Sequence, residues 1–409
     1  LAATAFAGGL LAAPFVAPQL FEHFYHPHVL ALTHVFTLGW VSATMLGVLY
    51  RYVPALVKRA LPFPRLALAQ LALFCAGAAV LVVGFWSGAW PVAATGAAGL
   101  VVSALLVCAN LWPLLLAAPS RGVAEIGILA ATLFFALAAL LGFVLALDKS
   151  VLVLGGGLTS LGAHAAIAAI GWVGITACSL SFRFLPAFLF PEEDRADAAR
   201  RQVIALAVAV PVLAVALLGR SSAVAPAALA VALTVAVHAV LLARVVASHR
   251  LPLDWTAWHA IAGLVWLLGA IGGGAGLAVT GVQSEVGARL AAVYGIAGLL
   301  GWISNLILGV SYKLFPAFVL AARGAIGRRT VPLALVALGD GVKPFVFAPF
   351  NAGLALVIGG LLAGAVPPFV VGAVLLAAGG ALYAAATLRT LSFTVLEPPP
   401  SANPLIVVS

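Results

Sequence analysis

The amino-acid sequence predicts an all-α, polytopic membrane protein of about twelve transmembrane helices, and three observations carry that prediction. Charged residues make up 8% of the 409-residue chain and apolar residues 65%, whereas a water-soluble globule has about 25% charged residues. Apolar runs of 18 or more residues recur from end to end, each long enough to cross about 30 Å of hydrocarbon as a helix that satisfies its own backbone hydrogen bonds. The short alternating segments that barrel strands require do not occur in the sequence.

In chain order, the first span, 2–20, lacks a basic leader and reads as a span rather than a cleaved signal. The second, 28–50, opens after Pro27 and runs into Tyr50, Arg51 and Pro54. Spans 66–87 and 92–117 come next. Span 123–147 carries Glu125 in its first turn, where a carboxylate interacts favourably with a helix N-terminus; proton entry is the alternative role. Spans 156–182, 202–219, 225–246, 257–281 and 289–313 follow, and 347–365 and 367–390 close the set. The stretch 324–346, with "GRRTVPLALVALGDGVKP", is too broken by Gly, Pro and charge to span. It reads as a cytoplasmic loop with room for an interfacial segment, in which Asp340 and Lys343 face water; insertion would flip every later helix.

The net charge of +9 is topological. With the N-terminus inside, seventeen of the twenty Lys and Arg fall at cytoplasmic ends or loops, among them Arg51, Lys58, Arg59, Arg65, Arg183, Arg200, Arg201, Arg323, Arg328 and Arg329. Only Lys149, Arg220 and Arg289 fall outside. This is the positive-inside pattern, which argues against nucleic acid as a partner and for the lipid bilayer, anionic headgroups included. It places both termini in the cytoplasm, and the expected location is a bacterial inner membrane. Cys75, Cys108 and Cys178 all lie within spans, far apart in sequence, and read as small hydrophobes. Walker-type, GxSxG, HExxH and kinase patterns do not occur.

One motif occurs three times: "LGWVSATMLGVLYRYVP" at 38–54, "IGWVGITACSLSFRFLP" at 170–186 and "LGWISNLILGVSYKLFP" at 300–316. The Gly-Trp pairs at Gly39, Gly171 and Gly301 are spaced by 132 and 130 residues. Each interval holds four spans, so the chain divides into repeats at 1–119, 120–251 and 252–390 with a cytoplasmic tail at 391–409. An even number of spans keeps the repeats parallel, related by an axis along the membrane normal. Gly39, Ala43 and Gly47, then Gly171 and Ser179, then Gly301 and Gly309, give each motif helix a smooth face for close packing, making helices two, six and ten inner helices. Tyr50, Phe182 and Tyr312 belong at the cytoplasmic interface, and the closing prolines end each helix.

The eight histidines raise the question of chemistry. His34 and His164 each enter a motif helix within two turns of its Gly-Trp pair, and an imidazole in hydrocarbon must find a partner. At 100° per residue, His28 and His164 fall within about 20° of the small-residue face and His34 roughly 140° away, so a shared ligand would sit between helices and off the repeat axis. A plain hydrogen bond to a neighbouring helix is the competing role for both. "EHFYHPH" gathers Glu22, His23, His26 and His28 in seven residues. That donor set suits copper or zinc, although Pro27 interrupts the register and a solvated cluster is the competing reading. His238 reads as a hydrogen-bonded bundle histidine, His249 as solvated beside Arg250, and His259 as part of the interfacial anchor "DWTAWH", with a ligand role as the alternative.

Twelve helices in three arcs of four, a histidine near the outer end of helix two, and the ending "G-x-x-Y-x-x-x-P" of "THVFTLGWVSATMLGVLYRYVP" resemble the catalytic subunit of the haem-copper oxidase superfamily. The likeness is nearest to the nitric oxide reductase branch and the haem-and-copper membrane proteins of the nitric-oxide response. The resemblance implies a three-arc bundle, with His34 as the helix-two axial ligand of a haem b, His28 as the competing candidate, and His164 at the helix-six copper-ligand position. Span 289–313 contains no histidine, Tyr294 standing where His164 stands in the second repeat, and span 202–219 contains none either. The expectation is therefore a haem-binding subunit without a binuclear centre, in respiratory electron transfer or the nitric-oxide response, alongside other respiratory subunits. His164 is then the leading candidate for the second axial ligand, and copper is a further cofactor. A secondary transporter or metal- or haem-handling permease, and a structural subunit of a larger membrane complex, are the alternatives.

Overall fold

A computed structural model describes residues 1–152, 157–191, 195–325 and 332–394. It is an all-α polytopic membrane fold, with no strand among the described residues. Twelve helices are long and apolar enough to cross a bilayer: α1 (Ala2–Glu22), α2 (Pro27–Val57), α3 (Pro64–Trp86), α4 (Trp90–Leu116), α5 (Val123–Val151), α6 (Leu158–Leu189), α7 (Ala196–Leu218), α8 (Val224–Ala247), α9 (Trp255–Thr280), α10 (Glu285–Gly324), α11 (Lys343–Ala363) and α12 (Val366–Ser392). Between α10 and α11 the described residues include one short helix, Leu333–Val336, and no span. Arg328 and Arg329 and most of the C-terminal tail lie outside the described residues.

Local chemistry sets the helix ends. Pro64, at the first position of α3, has no N–H to leave unpaired there. Asp254 caps α9 by accepting from Ala257 N at 3.1 Å, and Ser284 caps α10 by accepting from Gly287 N at 3.0 Å.

Contrary to the sequence expectation, Pro54, Pro186 and Pro316 do not end the motif helices; they lie inside them. α2 and α6 run one turn further, to C-caps at Lys58 and Phe190 in the left-handed region (φ 53° and 49°), whose N–H groups donate to the carbonyls of Pro54 and Pro186. Each proline deprives only the carbonyl four residues earlier of a donor, which a membrane helix tolerates near its end.

Within each third of the chain the first helix packs on the centre of the motif helix, and the third and fourth form a hairpin. The fourth helix meets the first of the next third: α4 on α5, α8 on α9, and α12 back on α1, closing a ring. The hairpin α3–α4 needs glycine at Gly84 and Gly96, because a Cβ there would run into the backbones of Ala93 and Leu81. Buried Gln70 ties the same pair together, its amide donating to Ser103 Oγ at 2.8 Å.

α6 and α10 are the most enclosed helices, 78% and 61% of their apolar windows being buried against 22% for α3. The smooth-face expectation holds at Gly171 and Gly301, where an added methyl would lie 2.8 Å from Phe134 Cγ and 2.5 Å from Trp266 Cβ. It fails at Gly47, which is exposed with no neighbour within 4 Å. Phe182 and Tyr312 are buried against neighbouring helices.

Candidate functional site

All three motif helices change geometry at the same place. Val35–Ser42, Ala166–Gly174 and Ala297–Ser304 are π-helical, and each segment contains the Gly-Trp pair of its motif. A π-helix makes i to i+5 bonds and is rare outside single-turn bulges, which concentrate at functional sites. Ser304 follows the wider turn with its side chain, its Oγ donating to the carbonyl of Leu299 five residues back at 3.0 Å.

At the centre of the bundle the three π segments are linked through their tryptophans. Trp40 Nε1 donates to Ser304 Oγ at 3.0 Å, tying α2 to α10, and Trp172 Nε1 donates to Ser42 Oγ at 2.9 Å, tying α6 to α2. Ser42 and Ser304 stand two residues after the tryptophan of their own motif, and Gly174 occupies that position in the second copy. Trp302, which would complete the cycle, has its buried Nε1 without a partner. The sequence carried this signal in Ser, Gly and Ser after the three tryptophans, but only the structure shows that it is a hydrogen-bond cycle with one link missing.

At the end of the bundle opposite Arg51, Arg183 and Lys313 lie His34 and His164. They are close enough to interact electrostatically. His34 Nδ1 lies 2.7 Å from the carbonyl of Leu30, which can only accept, so that nitrogen carries the proton and Nε2 keeps its lone pair. The ring packs at 4.9 Å against Phe85. His164 interacts with the Ala138 carbonyl, and its Nδ1 is buried without a partner. Its ring occupies the space left by Gly142 on α5, where a methyl would come within 2.9 Å of His164 Cε1. The wheel at 100° per residue put the two imidazoles on dissimilar faces; a π segment below each histidine breaks the continuous α-register that the wheel assumes.

The other outer histidines serve local structure. His26 caps α2, accepting from His28 N at 3.2 Å, and His23 Nδ1 accepts from Tyr25 N at 3.0 Å. His28 stacks on Trp86 at 4.4 Å. Among the described residues, no group of three or more His, Cys, Asp or Glu side chains is arranged to hold a metal ion, so the expected copper or zinc cluster at His23, His26 and His28 is not assembled. Beside them the Lys149 ammonium lies 4.7 Å and 5.6 Å from the ring centres of Tyr25 and Trp90, within cation–π range.

His238 departs from its expectation as a hydrogen-bonded bundle residue. It is fully buried between Phe182 and Trp302, at 4.9 Å and 5.8 Å, and neither ring nitrogen has a partner. His259 is instead fully satisfied: Nδ1 lies 2.8 Å from Asn305 Oδ1 and Nε2 lies 3.2 Å from Tyr312 OH. The amide oxygen accepts, so Nδ1 is protonated and the tyrosine hydroxyl donates to Nε2. Asn305 pairs with Asn351 at 3.1 Å, and Trp266 Nε1 donates to Asn351 Oδ1 at 2.9 Å. This buried polar line joins α9, α10 and α11. Sequence reasoning passed over Asn305 and Asn351, although an asparagine inside a span is itself a signal of an interhelical hydrogen bond.

A b-type haem asks two nitrogen donors of the protein, and imidazoles are donors of that kind. The orphaned His164 Nδ1 is the specific feature that such a group would satisfy. No protein-family model matches the chain, and no curated protein matches it.

Proposed function

We propose that the chain is a haem-binding integral membrane subunit of an electron-transfer system, either respiratory or linked to the nitric-oxide response. Its architecture is akin to the catalytic subunit of haem-copper oxidases without their binuclear centre. The observation that carries this reading is that His34 on α2 and His164 on α6 lie within electrostatic reach of each other, with His34 Nδ1 tied to its own backbone and His164 Nδ1 buried and unpartnered. His34 and His164 would hold the iron, and a haem b would supply reversible one-electron chemistry. The Leu30 carbonyl fixes the His34 tautomer and ring orientation, and Gly142 gives the His164 ring its place. The apolar shell around both would keep water away and set the potential. Copper at the same nitrogens is the other occupant of that chemistry. The positive-inside pattern supports cytoplasmic termini, and the location proposed with it is a bacterial plasma membrane.

A second reading, a secondary transporter or permease, draws on the buried polar line from Trp266 to Tyr312. A reduced-minus-oxidised absorption spectrum with iron and copper analysis separates the two. The first reading expects a Soret band and sharp visible bands, lost in His34→Ala while the helical circular dichroism is retained. A colourless protein free of iron and copper overturns it.

A further inference from the structure

The missing link in the central tryptophan cycle marks a binding site. Trp302 is 6% exposed with its indole N–H unpartnered, and His238, which faces it at 5.8 Å, is 0% exposed with both nitrogens unpartnered. Native proteins leave few buried polar atoms unsatisfied, so three on two neighbouring rings point to a partner that is not a protein group. Position 174 shows where that partner belongs. The other two copies of the motif carry a serine there, and its hydroxyl accepts the indole N–H of the preceding helix in the cycle. Gly174 removes the hydroxyl and also its volume. The atoms nearest to a methyl added at Gly174 belong to its own helix, the Ala169 carbonyl at 3.3 Å and the side chain of Ile170, so no neighbouring helix crowds that position. The π segments of α6 and α10, which carry Gly174 and Trp302, are in contact.

We infer that Gly174, Trp302 and His238 form a site for one water-sized protic molecule that accepts from the indole N–H and donates to the imidazole. It stands in for the absent serine hydroxyl and extends the cycle sideways to α8. A guest of this kind makes about two to four hydrogen bonds, and the groups present supply them. A larger or aprotic molecule does not match: the serine side chain absent at Gly174 is one CH₂OH group, and the guest must accept from the indole N–H and donate to the imidazole nitrogen nearest it. The inference stands whether or not His34 and His164 hold a haem.

The test is water-to-indole magnetisation transfer in protein labelled with ¹⁵N-tryptophan and held in lipid nanodiscs. Transfer is expected at Trp302 Nε1–H and not at Trp40 or Trp172, whose N–H groups are taken by serines. In Gly174→Ser the Trp302 signal is expected to lose that transfer and move towards the chemical shifts of the other two. Absence of transfer at Trp302 in the natural sequence, equal transfer at all three indoles, or its persistence in Gly174→Ser each overturns the inference. Should Gly174→Ser fail to fold, the comparison among the three indoles of the natural sequence decides the matter alone.

Discussion

Trp172 on α6 donates its indole N–H to Ser42 on α2 at 2.9 Å, across 130 residues of sequence and inside two π-helical segments. Both side chains are buried, so the bond joins two inner helices where no water competes. Interhelical hydrogen bonds in membranes contribute about 0.6 kcal/mol on average and up to about 1.7. A double-mutant cycle of Trp172→Phe with Ser42→Ala, followed by thermal unfolding in detergent, is expected to give a coupling in the upper part of that range. A coupling indistinguishable from zero would show that the bond does not hold the helices together.

His259 binds two partners on α10, so its loss reaches further. His259→Leu strands the Tyr312 hydroxyl, at about 1–3 kcal/mol for a buried group left unpaired, and takes from Asn305 Oδ1 its shorter bond, leaving it only Asn351 Nδ2 at 3.2 Å. Tyr312→Phe removes only a donor to Nε2 and is expected to cost less. The order of unfolding midpoints, natural protein above Tyr312→Phe above His259→Leu, checks this.

Asp254 serves α9 twice, accepting from Ala257 N and pairing with Lys313 at 2.7 Å. The pair is 34% and 41% exposed, which limits its contribution to at most about 1 kcal/mol, whereas losing an N-cap costs about 0.5–2 kcal/mol. Asp254→Asn keeps the cap and is expected to stay near the natural protein, and Asp254→Ala is expected to fall below both. Equal losses in the two variants would make the ion pair the larger effect.

Gly142 leaves the room that the His164 ring fills. Gly142→Val pushes that ring aside without touching His34. If the two imidazoles share a haem, this variant is expected to lose or shift the low-spin spectrum while retaining its helix content. An unchanged spectrum in a coloured protein would remove His164 from the ligand set.

Orientation is open to a labelling measurement. In a cysteine-free background, Lys58→Cys and Ser150→Cys place exposed thiols at opposite ends of the bundle. An impermeant maleimide added to intact cells is expected to label Ser150→Cys and spare Lys58→Cys. The reverse pattern would invert the assignment drawn from the basic residues.

The twelve spans were legible because hydropathy integrates over a whole helix, and small errors at Pro54 or Pro186 do not disturb it. The central place of α6 and α10 was legible from the small residues around Gly171 and Gly301. The wider turn through Gly39, Gly171 and Gly301 was not, since no residue type forces a π-helix. That hidden turn spoiled the angular argument for His34 and His164, although it did not change which histidines were singled out. The pairing of His259 with Asn305 and of Asn305 with Asn351 depends on which helices become neighbours, and one chain read in isolation does not say so.

With α2 fastened to both α6 and α10 through indole–hydroxyl links, and α6 lacking such a link to α10, mechanical stiffness at the bundle's heart is uneven. The α6–α10 seam is the direction of least resistance. A staple across that seam is expected to raise the unfolding midpoint more than one across the α2–α6 contact, which an indole–hydroxyl link already restrains.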